Sequence, residues 1–131
     1  MTKPESQPTL ELKAVILAGG TKVAPGDQPM VLQKLGDRTI LEYVLANARQ
    51  IVPADALYVV VGKQQDELRA QLGTQCHYVV QSEPLGTGHA VRQLAPILKG
   101  CQGNLLILYG DTPLFRPASI RGLLNRHALR Q

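Results

Sequence analysis

The chain of 131 residues has the size of one compact domain, and 44% of its side chains are apolar, which is enough for a single core. No apolar run reaches the roughly 20 residues that cross a bilayer, and the start lacks a secretory signal, so we expect a cytoplasmic protein with no membrane partner. The whole net charge of +4 comes from Arg116, Arg121, Arg126 and Arg130. Their spacing spreads them around a helix, which predicts a solvated helix and no nucleic-acid partner.

The first predicted features along the chain are a lead-in and four strands. Residues 1–12 contain two prolines and no apolar periodicity, which predicts a mobile lead-in, with the folded part at 13–131. Four apolar runs then predict strands that are covered on both faces: Lys13–Leu17, Leu57–Val61, His77–Val80 and Asn104–Tyr109. Cys76 and Cys101 lie beside such runs and are too few for a disulfide framework, so we expect free thiols that fill space.

Helical patterns alternate with these strands. The clearest starts after Thr39, which has capping-box spacing to Glu42, and its apolar stripe continues to Val52 before Pro53. The others are Gln64–Leu72 followed by Gly73, His89–Leu98 with a break expected at Pro96, and a last helix from Pro117 through His127. Strand and helix in alternation predict an α/β fold, with a doubly wound, mostly parallel sheet and helices on both faces.

Three loops fall at the carboxyl ends of the predicted strands, which is where such sheets bind ligands. They are Gly19-Gly20 after the first strand, Gln81 to His89 after the third, and Gly110-Asp111 after the fourth. Because carboxyl ends of parallel strands meet at one edge, the three loops together predict a ligand site. No internal repeat or low-complexity tract competes with this interpretation.

Each loop taken alone also has an ordinary structural explanation. Gly19-Gly20 matches neither G-x-G-x-x-G nor a Walker A loop, and a tight turn is the commoner use of such a pair. Thr87 between two glycines could face a planar or phosphorylated ligand, or simply precede a helix. Asp111 could cap a turn or hold a hard cation such as Mg²⁺. His89 has no carboxylate or nucleophile in a motif relation to it, so we expect a hydrogen-bonding or packing role.

Two motifs carry a family resemblance: Q-S-E-P-L-G-T-G-H-A begins at Gln81, and L-Y-G-D-T-P-L begins at Leu108. From about Lys13 to its end, the chain resembles the uridyltransferase domain of the bifunctional N-acetylglucosamine-1-phosphate uridyltransferases, in the sugar nucleotidyltransferase superfamily. The resemblance implies a Rossmann-like sheet of the nucleotide-diphospho-sugar transferase type that binds UTP, a sugar 1-phosphate and Mg²⁺. It also implies in-line attack on the α-phosphorus, giving UDP-N-acetylglucosamine, a precursor of peptidoglycan, and pyrophosphate.

The resemblance further implies a role for individual residues. Gln81 would read the uracil, with Gly86 and Thr87 against the base, and Asp111 would be the metal-binding aspartate and take part in catalysis. The other residues implied at the nucleotide and sugar-nucleotide sites are Leu17, Ala18, Gly19, Gly20, Tyr109 and Gly110.

The sequence departs from the family pattern in the triphosphate loop. The family pattern L-A-A-G-x-G-T-R-M followed by P-K-V-L reads L-A-G-G-T-K-V and P-M-V-L here. Lys22 would replace the arginine that binds the triphosphate. A lysine offers a point charge, whereas an arginine can donate two parallel hydrogen bonds to a phosphate. Met30 stands at the lysine position. We therefore expect weak or no turnover. The alternatives are a non-catalytic or regulatory module that binds uridine nucleotides, or an enzyme for another sugar and nucleotide pair.

The length of the chain also departs from the family pattern. The resemblance implies that the sugar-binding second half of the domain and the acetyltransferase domain lie outside this sequence, which predicts a truncated product, a fragment or a degenerate relative. An incomplete sheet would expose an edge and an apolar face, which predicts self-association.

Overall fold

The computed structural model describes residues 11–19, 30–62, 65–81, 83, 86–99, 103–110 and 116–129. The strands are β1 (Glu11–Leu17), β2 (Lys34–Leu35), β3 (Arg38–Thr39), β4 (Leu57–Val61), β5 (His77–Val80) and β6 (Gly103–Tyr109). The α-helices are α1 (Ile40–Arg49), α2 (Gln65–Leu72), α3 (Thr87–Arg92), α4 (Ala95–Leu98) and α5 (Pro117–Leu129). Two short 3-10 helices lie at Met30–Leu32 and Ala54–Ala56.

The main sheet of the described residues is parallel and has the strand order β5–β4–β1–β6. The chain moves outward from β1 through β4 to β5 and then returns across the sheet to β6. Right-handed crossovers therefore place α1 and α2 on one face and α3 and α4 on the other. This arrangement confirms the predicted α/β class with a doubly wound, mostly parallel sheet, and it puts the point where the strand order reverses between β1 and β6.

Alternate residues of the strands build two separate cores because successive side chains of a strand point to opposite faces. Ala14, Ile16 and Val59 belong to the larger core, which α1, α2 and Ile120 of α5 cover. The smaller core lies under α3 and α4, and its buried residues are Val15, Tyr58, Val60, Ala90 and Leu94.

Helix α1 begins with the capping box that the sequence predicts. The Glu42 amide donates to Thr39 Oγ1 at 3.1 Å, and the Thr39 amide donates to Glu42 Oε1 at 3.2 Å. Thr39 is buried, so the box satisfies helix-end groups that solvent does not reach. Behind the helix, Val52 remains in the larger core after α1 has ended at Arg49.

The predicted helix His89–Leu98 is two helices, and its start was placed too late. Helix α3 begins at Thr87, and Pro96 lies in the first turn of α4. Proline has no amide hydrogen to continue a helix, but a first turn does not need one, so the chain restarts there. A break is therefore confirmed, but it falls between Arg92 and Ala95, just before Pro96.

Two predictions about the early part of the chain were wrong or incomplete. Strand β1 begins at Glu11 and not at Lys13, because Glu11 and Leu12 pair with Gly103 and Asn104 of β6. The antiparallel hairpin of β2 and β3 was not predicted at all, since strands of two residues are too short to show periodicity.

Helix α5 supports the prediction of a solvated helix. Arg116, Arg121 and Arg126 are exposed, while Ile120 packs on the larger core. The Arg121 guanidinium donates to the backbone carbonyl of Gln50. Arg130 lies outside the described residues, and within those residues no helix combines the length and the apolar character needed to span a membrane.

Strand β6 is the outermost strand of the described sheet on the β1 side. Ile107 and Tyr109 are 41% and 51% exposed on the face that α3 and α4 cover elsewhere. The self-association predicted from the sequence would use this edge, and it stays a prediction. Of the two cysteines, Cys76 is a buried free thiol, as predicted, and Cys101 lies outside the described residues.

Candidate functional site

The carboxyl ends of β1 and β6 are joined at the reversal of strand order. The Gly110 amide donates to the Leu17 carbonyl at 3.0 Å, and on the other side the Ala18 amide donates to the Val60 carbonyl at 2.9 Å. Parallel sheets of this type bind ligands in the crevice that such a reversal opens. For the described residues, the predicted meeting of the three loops at one edge is confirmed.

Close backbone packing favours glycine at this edge. A Cβ atom on Gly110 would lie 3.0 Å from the Leu17 carbonyl oxygen and 3.1 Å from Val31 Cγ1. A Cβ atom on Gly19 would lie 3.3 Å from the Gly62 nitrogen, and one on Gly62 would lie 3.2 Å from the Gly19 oxygen. These glycines therefore allow the ends of β1, β4 and β6 to pack closely against one another.

Gly62 is a residue of this edge that we did not predict. It follows β4 directly, and its contact with Gly19 joins the ends of β4 and β1. The available signal was the position of glycine after an uninterrupted apolar run, as at Gly110. That signal gave no contact partner, since the two glycines are far apart in the sequence.

Gln81 brings a polar side chain into the edge from the end of β5. Its amide donates to the Val61 carbonyl at 2.8 Å, which extends the strand pairing by one residue, and only 5% of Gln81 is exposed. Its Nε2 atom lies 2.9 Å from His89 Nδ1 and 3.4 Å from the Gly86 carbonyl oxygen. Its Oε1 atom is 3.4 Å from the Cβ position of Gly19.

The start of α3 holds the partners of Gln81. Gly86 precedes the helix with φ 105°, and its carbonyl accepts from the Ala90 amide at 3.0 Å. Gly86 and Thr87 are exposed, whereas Ala90 is buried in the smaller core. His89 Nδ1 lies 2.9 Å from Gln81 Nε2, which confirms the predicted hydrogen-bonding role of His89.

The structure thus brings together most, but not all, of the site residues predicted from the sequence. Leu17, Ala18, Gly19, Gln81 and Gly110 meet at one edge, with Gly86 and Thr87 beside Gln81 and Tyr109 at the end of β6. Gly20, Lys22 and Asp111 lie outside the described residues, so their roles stay predictions. Met30 begins the 3-10 helix whose next residue, Val31, lies against Gly110.

The described part of the edge can recognise an uncharged group. None of the predicted site residues that the structure describes is acidic, lysine or arginine. Across the described residues, no three His, Cys, Asp or Glu side chains are grouped as metal ligands. A buried carboxamide beside bare backbone instead offers a hydrogen-bond donor and an acceptor in a fixed plane, which suits the edge of a nucleobase.

A doubly wound sheet with a glycine-lined carboxyl edge at the reversal of strand order is the arrangement of nucleotide-binding α/β domains. The sequence agrees with this class. Residues 14–131 match the family described as the MobA-like NTP transferase domain, and the chain belongs to that family.

The chain is also similar in sequence to individual curated proteins. The chain is 41% identical over 116 residues to the bifunctional protein GlmU of Synechococcus elongatus and 43% identical over 116 residues to that of Streptococcus equi subsp. zooepidemicus. Each alignment covers 87% of this chain and 25% of the relative. The chain therefore spans about a quarter of the length of these curated relatives.

Among solved structures, Rv0371c of Mycobacterium tuberculosis H37Rv has a TM-score of 0.75 at 22% identity, covering 91% of this chain and 61% of that one. A complex of Rv0371c with manganese has a TM-score of 0.70 at 23% identity, covering 87% and 58%. The CMP:2-keto-3-deoxy-manno-octonic acid synthetase complexed with CTP has a TM-score of 0.63 at 19% identity, covering 88% and 46%. At these identities the likeness is one of fold.

Proposed function

We propose that this chain forms the uridine-nucleotide-binding part of a sugar-1-phosphate uridyltransferase. The reaction would transfer UMP from UTP to N-acetylglucosamine 1-phosphate and give UDP-N-acetylglucosamine and pyrophosphate. Membership of an NTP transferase family and about 40% identity to GlmU proteins support this assignment. The observation that carries it is the buried carboxamide of Gln81 at the carboxyl edge of the sheet.

The geometry of Gln81 favours a base with a ring N–H group. Its Nε2 atom faces two protein groups, Gly86 and His89, which leaves Oε1 on the side of Gly19. Uracil carries a hydrogen on N3 that such an oxygen can accept, whereas the N3 of cytosine is itself an acceptor. A site built to hydrogen-bond one group rejects an analogue that lacks it, because the buried polar atom would be left unpaired.

The triphosphate needs positive charge that the described part of the site does not supply. We propose that Lys22 supplies part of it and that Asp111, the residue after Gly110, holds Mg²⁺. One carboxylate together with substrate phosphates is a usual way to bind this ion, which would neutralise phosphate charge when bound. Lys22 and Asp111 lie outside the described residues, so this part of the proposal is supported by the sequence resemblance and by the position of Asp111 directly after Gly110.

Calorimetric titration of the 131-residue chain with UTP and with CTP, in the presence of Mg²⁺, tests the proposal. We expect UTP to bind more tightly than CTP by at least about tenfold, and Gln81→Leu to abolish that preference. Gln75→Leu is the matched control, because Gln75 is exposed and its Nε2 atom donates to the Leu72 carbonyl at the end of α2, away from Gln81 in the fold. Absence of UTP binding, or equal binding of the two nucleotides, would contradict the proposal.

A second candidate is a binding or regulatory module without catalysis. Met30 and Lys22 in place of the family's lysine and arginine favour it, because both changes weaken the grip on a triphosphate. Pyrophosphate release with UTP, N-acetylglucosamine 1-phosphate and Mg²⁺ separates the two candidates. UTP binding without release would support the module, and a gain of affinity in Met30→Lys combined with Lys22→Arg would show that the triphosphate grip has been lost.

A further inference from the structure

Among the described residues, His89 is the closest hydrogen-bond partner of the Gln81 side chain, which we propose binds the base. Its Nδ1 atom is 2.9 Å from Gln81 Nε2, a normal hydrogen-bond distance, whereas Gln81 Nε2 is 3.4 Å from the Gly86 oxygen. His89 is itself held on α3, whose Ala90 is buried in the smaller core. The helix that carries His89 is therefore attached to the fold independently of any ligand.

The two partners of Gln81 define which end of its amide faces the protein. A backbone carbonyl can only accept a hydrogen bond, so the amide group that faces Gly86 is the NH₂ group. The same NH₂ group faces His89, and therefore Nδ1 of the ring accepts and the ring hydrogen lies on Nε2.

In this tautomer His89 Nε2 makes no hydrogen bond with Gln93. Its Nε2 atom donates to the His89 carbonyl at 3.1 Å, and this bond fixes the side chain along the helix. The 3.4 Å between the Nε2 atoms of Gln93 and His89 then separates two donors and is not a hydrogen bond.

We propose that His89 is a positioning residue that sets base specificity by holding the Gln81 amide in one orientation. The inference rests on the proposed function, because it concerns the same nucleotide site. A glutamine amide can rotate by half a turn and exchange its donor and acceptor ends at little steric cost. The rotated amide would bring its oxygen against the Gly86 carbonyl, and His89 would have to move its ring hydrogen from Nε2 to Nδ1 in order to donate to that oxygen. His89 thus keeps Oε1 available for a ring N–H and disfavours the rotated form, which would suit the N3 acceptor of cytosine.

Two substitutions at His89 test this role by calorimetry with UTP and CTP. His89→Leu removes the acceptor while keeping an apolar side chain of moderate size, and His89→Asn places an amide oxygen where it can replace Nδ1. We expect His89→Leu to lower the ratio of UTP to CTP affinity by about tenfold, the equivalent of one hydrogen bond, and His89→Asn to keep most of it. A purely structural role would weaken both nucleotides equally and leave the ratio unchanged in both variants.

The ring tautomer gives a second test that needs no nucleotide. Long-range ¹H–¹⁵N spectra of the unliganded chain, with His89 assigned by its absence in His89→Asn, should show the hydrogen on Nε2. A hydrogen on Nδ1 would overturn the inference, as would a wild-type preference for UTP that His89→Leu retains. A wild-type chain without a preference for UTP would overturn the proposed function, whereas a wild-type preference that His89→Leu retains would overturn this inference alone, so the two failures are distinguishable.

Discussion

The two faces of the sheet carry hydrophobic cores of different size. One face carries the larger core, into which α1, α2 and α5 pack, and α1 and α5 have 10 and 13 residues. The other face has a small core under α3 and α4, which have only 6 and 4 residues. Helices this short are marginal without tertiary contacts, so the second face depends on a few buried side chains.

The face with the smaller core also holds the hydrogen-bond partners of Gln81. His89 follows Gly86 and Thr87 on α3 and is positioned by packing of its neighbour Ala90. The comparison suggests that the larger core determines whether the chain folds, while the smaller core determines whether the edge of the sheet can read a base. This division of roles can be tested directly, since both faces contain a fully buried leucine.

Truncation of these leucines should give the largest effects. Leu41 of α1 and Leu94, which lies between α3 and α4, are both 0% exposed. We expect Leu41→Ala to lower the free energy of unfolding by about 3–4 kcal/mol and Leu94→Ala by about 2 kcal/mol, because short helices can shift to close part of the cavity. Urea unfolding measures both losses.

The loss of nucleotide affinity in the folded variants should be larger for Leu94→Ala than for Leu41→Ala, which is the opposite of the order of the stability losses. Leu94→Ala should weaken UTP binding because α3 carries His89, whereas Leu41→Ala should leave the affinity of the folded fraction unchanged. If both variants lose equal stability and bind UTP alike, the division of roles between the two faces is wrong.

Alanine at Gly110 should have the next largest effect. Its Cβ would press on the Leu17 oxygen and on Val31, so Gly110→Ala should cost about 1–3 kcal/mol of unfolding free energy and weaken UTP binding. Gly122→Ala is the matched control in α5, where nothing lies within 4 Å of the new Cβ, and it should stabilise the helix by up to about 1 kcal/mol. Equal stability changes in the two variants would show that the ends of β1 and β6 can separate without cost.

The smallest effect concerns Tyr78, which lies on the larger-core face of β5. Its hydroxyl donates to the Gly73 carbonyl at 2.6 Å, and the Arg69 guanidinium lies 4.7 Å from its ring centre. Desolvation, followed by the nearby Cys76 thiol, raises the pKa of Tyr78 from 10.0 to about 12. The folded chain therefore keeps this proton to higher pH than the unfolded chain, so the contribution to stability is full below pH 10 and is lost as the pH rises toward 12.

Urea midpoints at about pH 9 and about pH 11 test this contribution. The wild type should lose more stability between the two than Tyr78→Phe does, and at neutral pH the variant should cost no more than about 1 kcal/mol. UTP affinity should be unchanged, since Tyr78 is on the face away from His89. An equal alkaline loss in both proteins would show that other groups cause it.

Local patterns were sufficient for most of the fold. The apolar runs predicted all four strands of the parallel sheet, and Thr39, Glu42 and Pro96 placed a helix start and a helix break correctly. The hairpin of β2 and β3 was not predicted, because it is stabilised by contacts with other elements. One of these is the hydrogen bond from the Tyr43 hydroxyl to the Leu35 carbonyl at 3.0 Å.

The candidate site was predicted only as a set of loops. The sequence by itself determined that Gly19, Gln81 and Gly110 each follow an apolar strand, because strand boundaries depend on neighbouring residues. Only the tertiary structure decided that Gly19 lies against Gly62 and that His89 faces the Gln81 amide. Those contacts join segments that are separated along the chain, and they depend on the strand order and on side-chain orientations that no local pattern specifies.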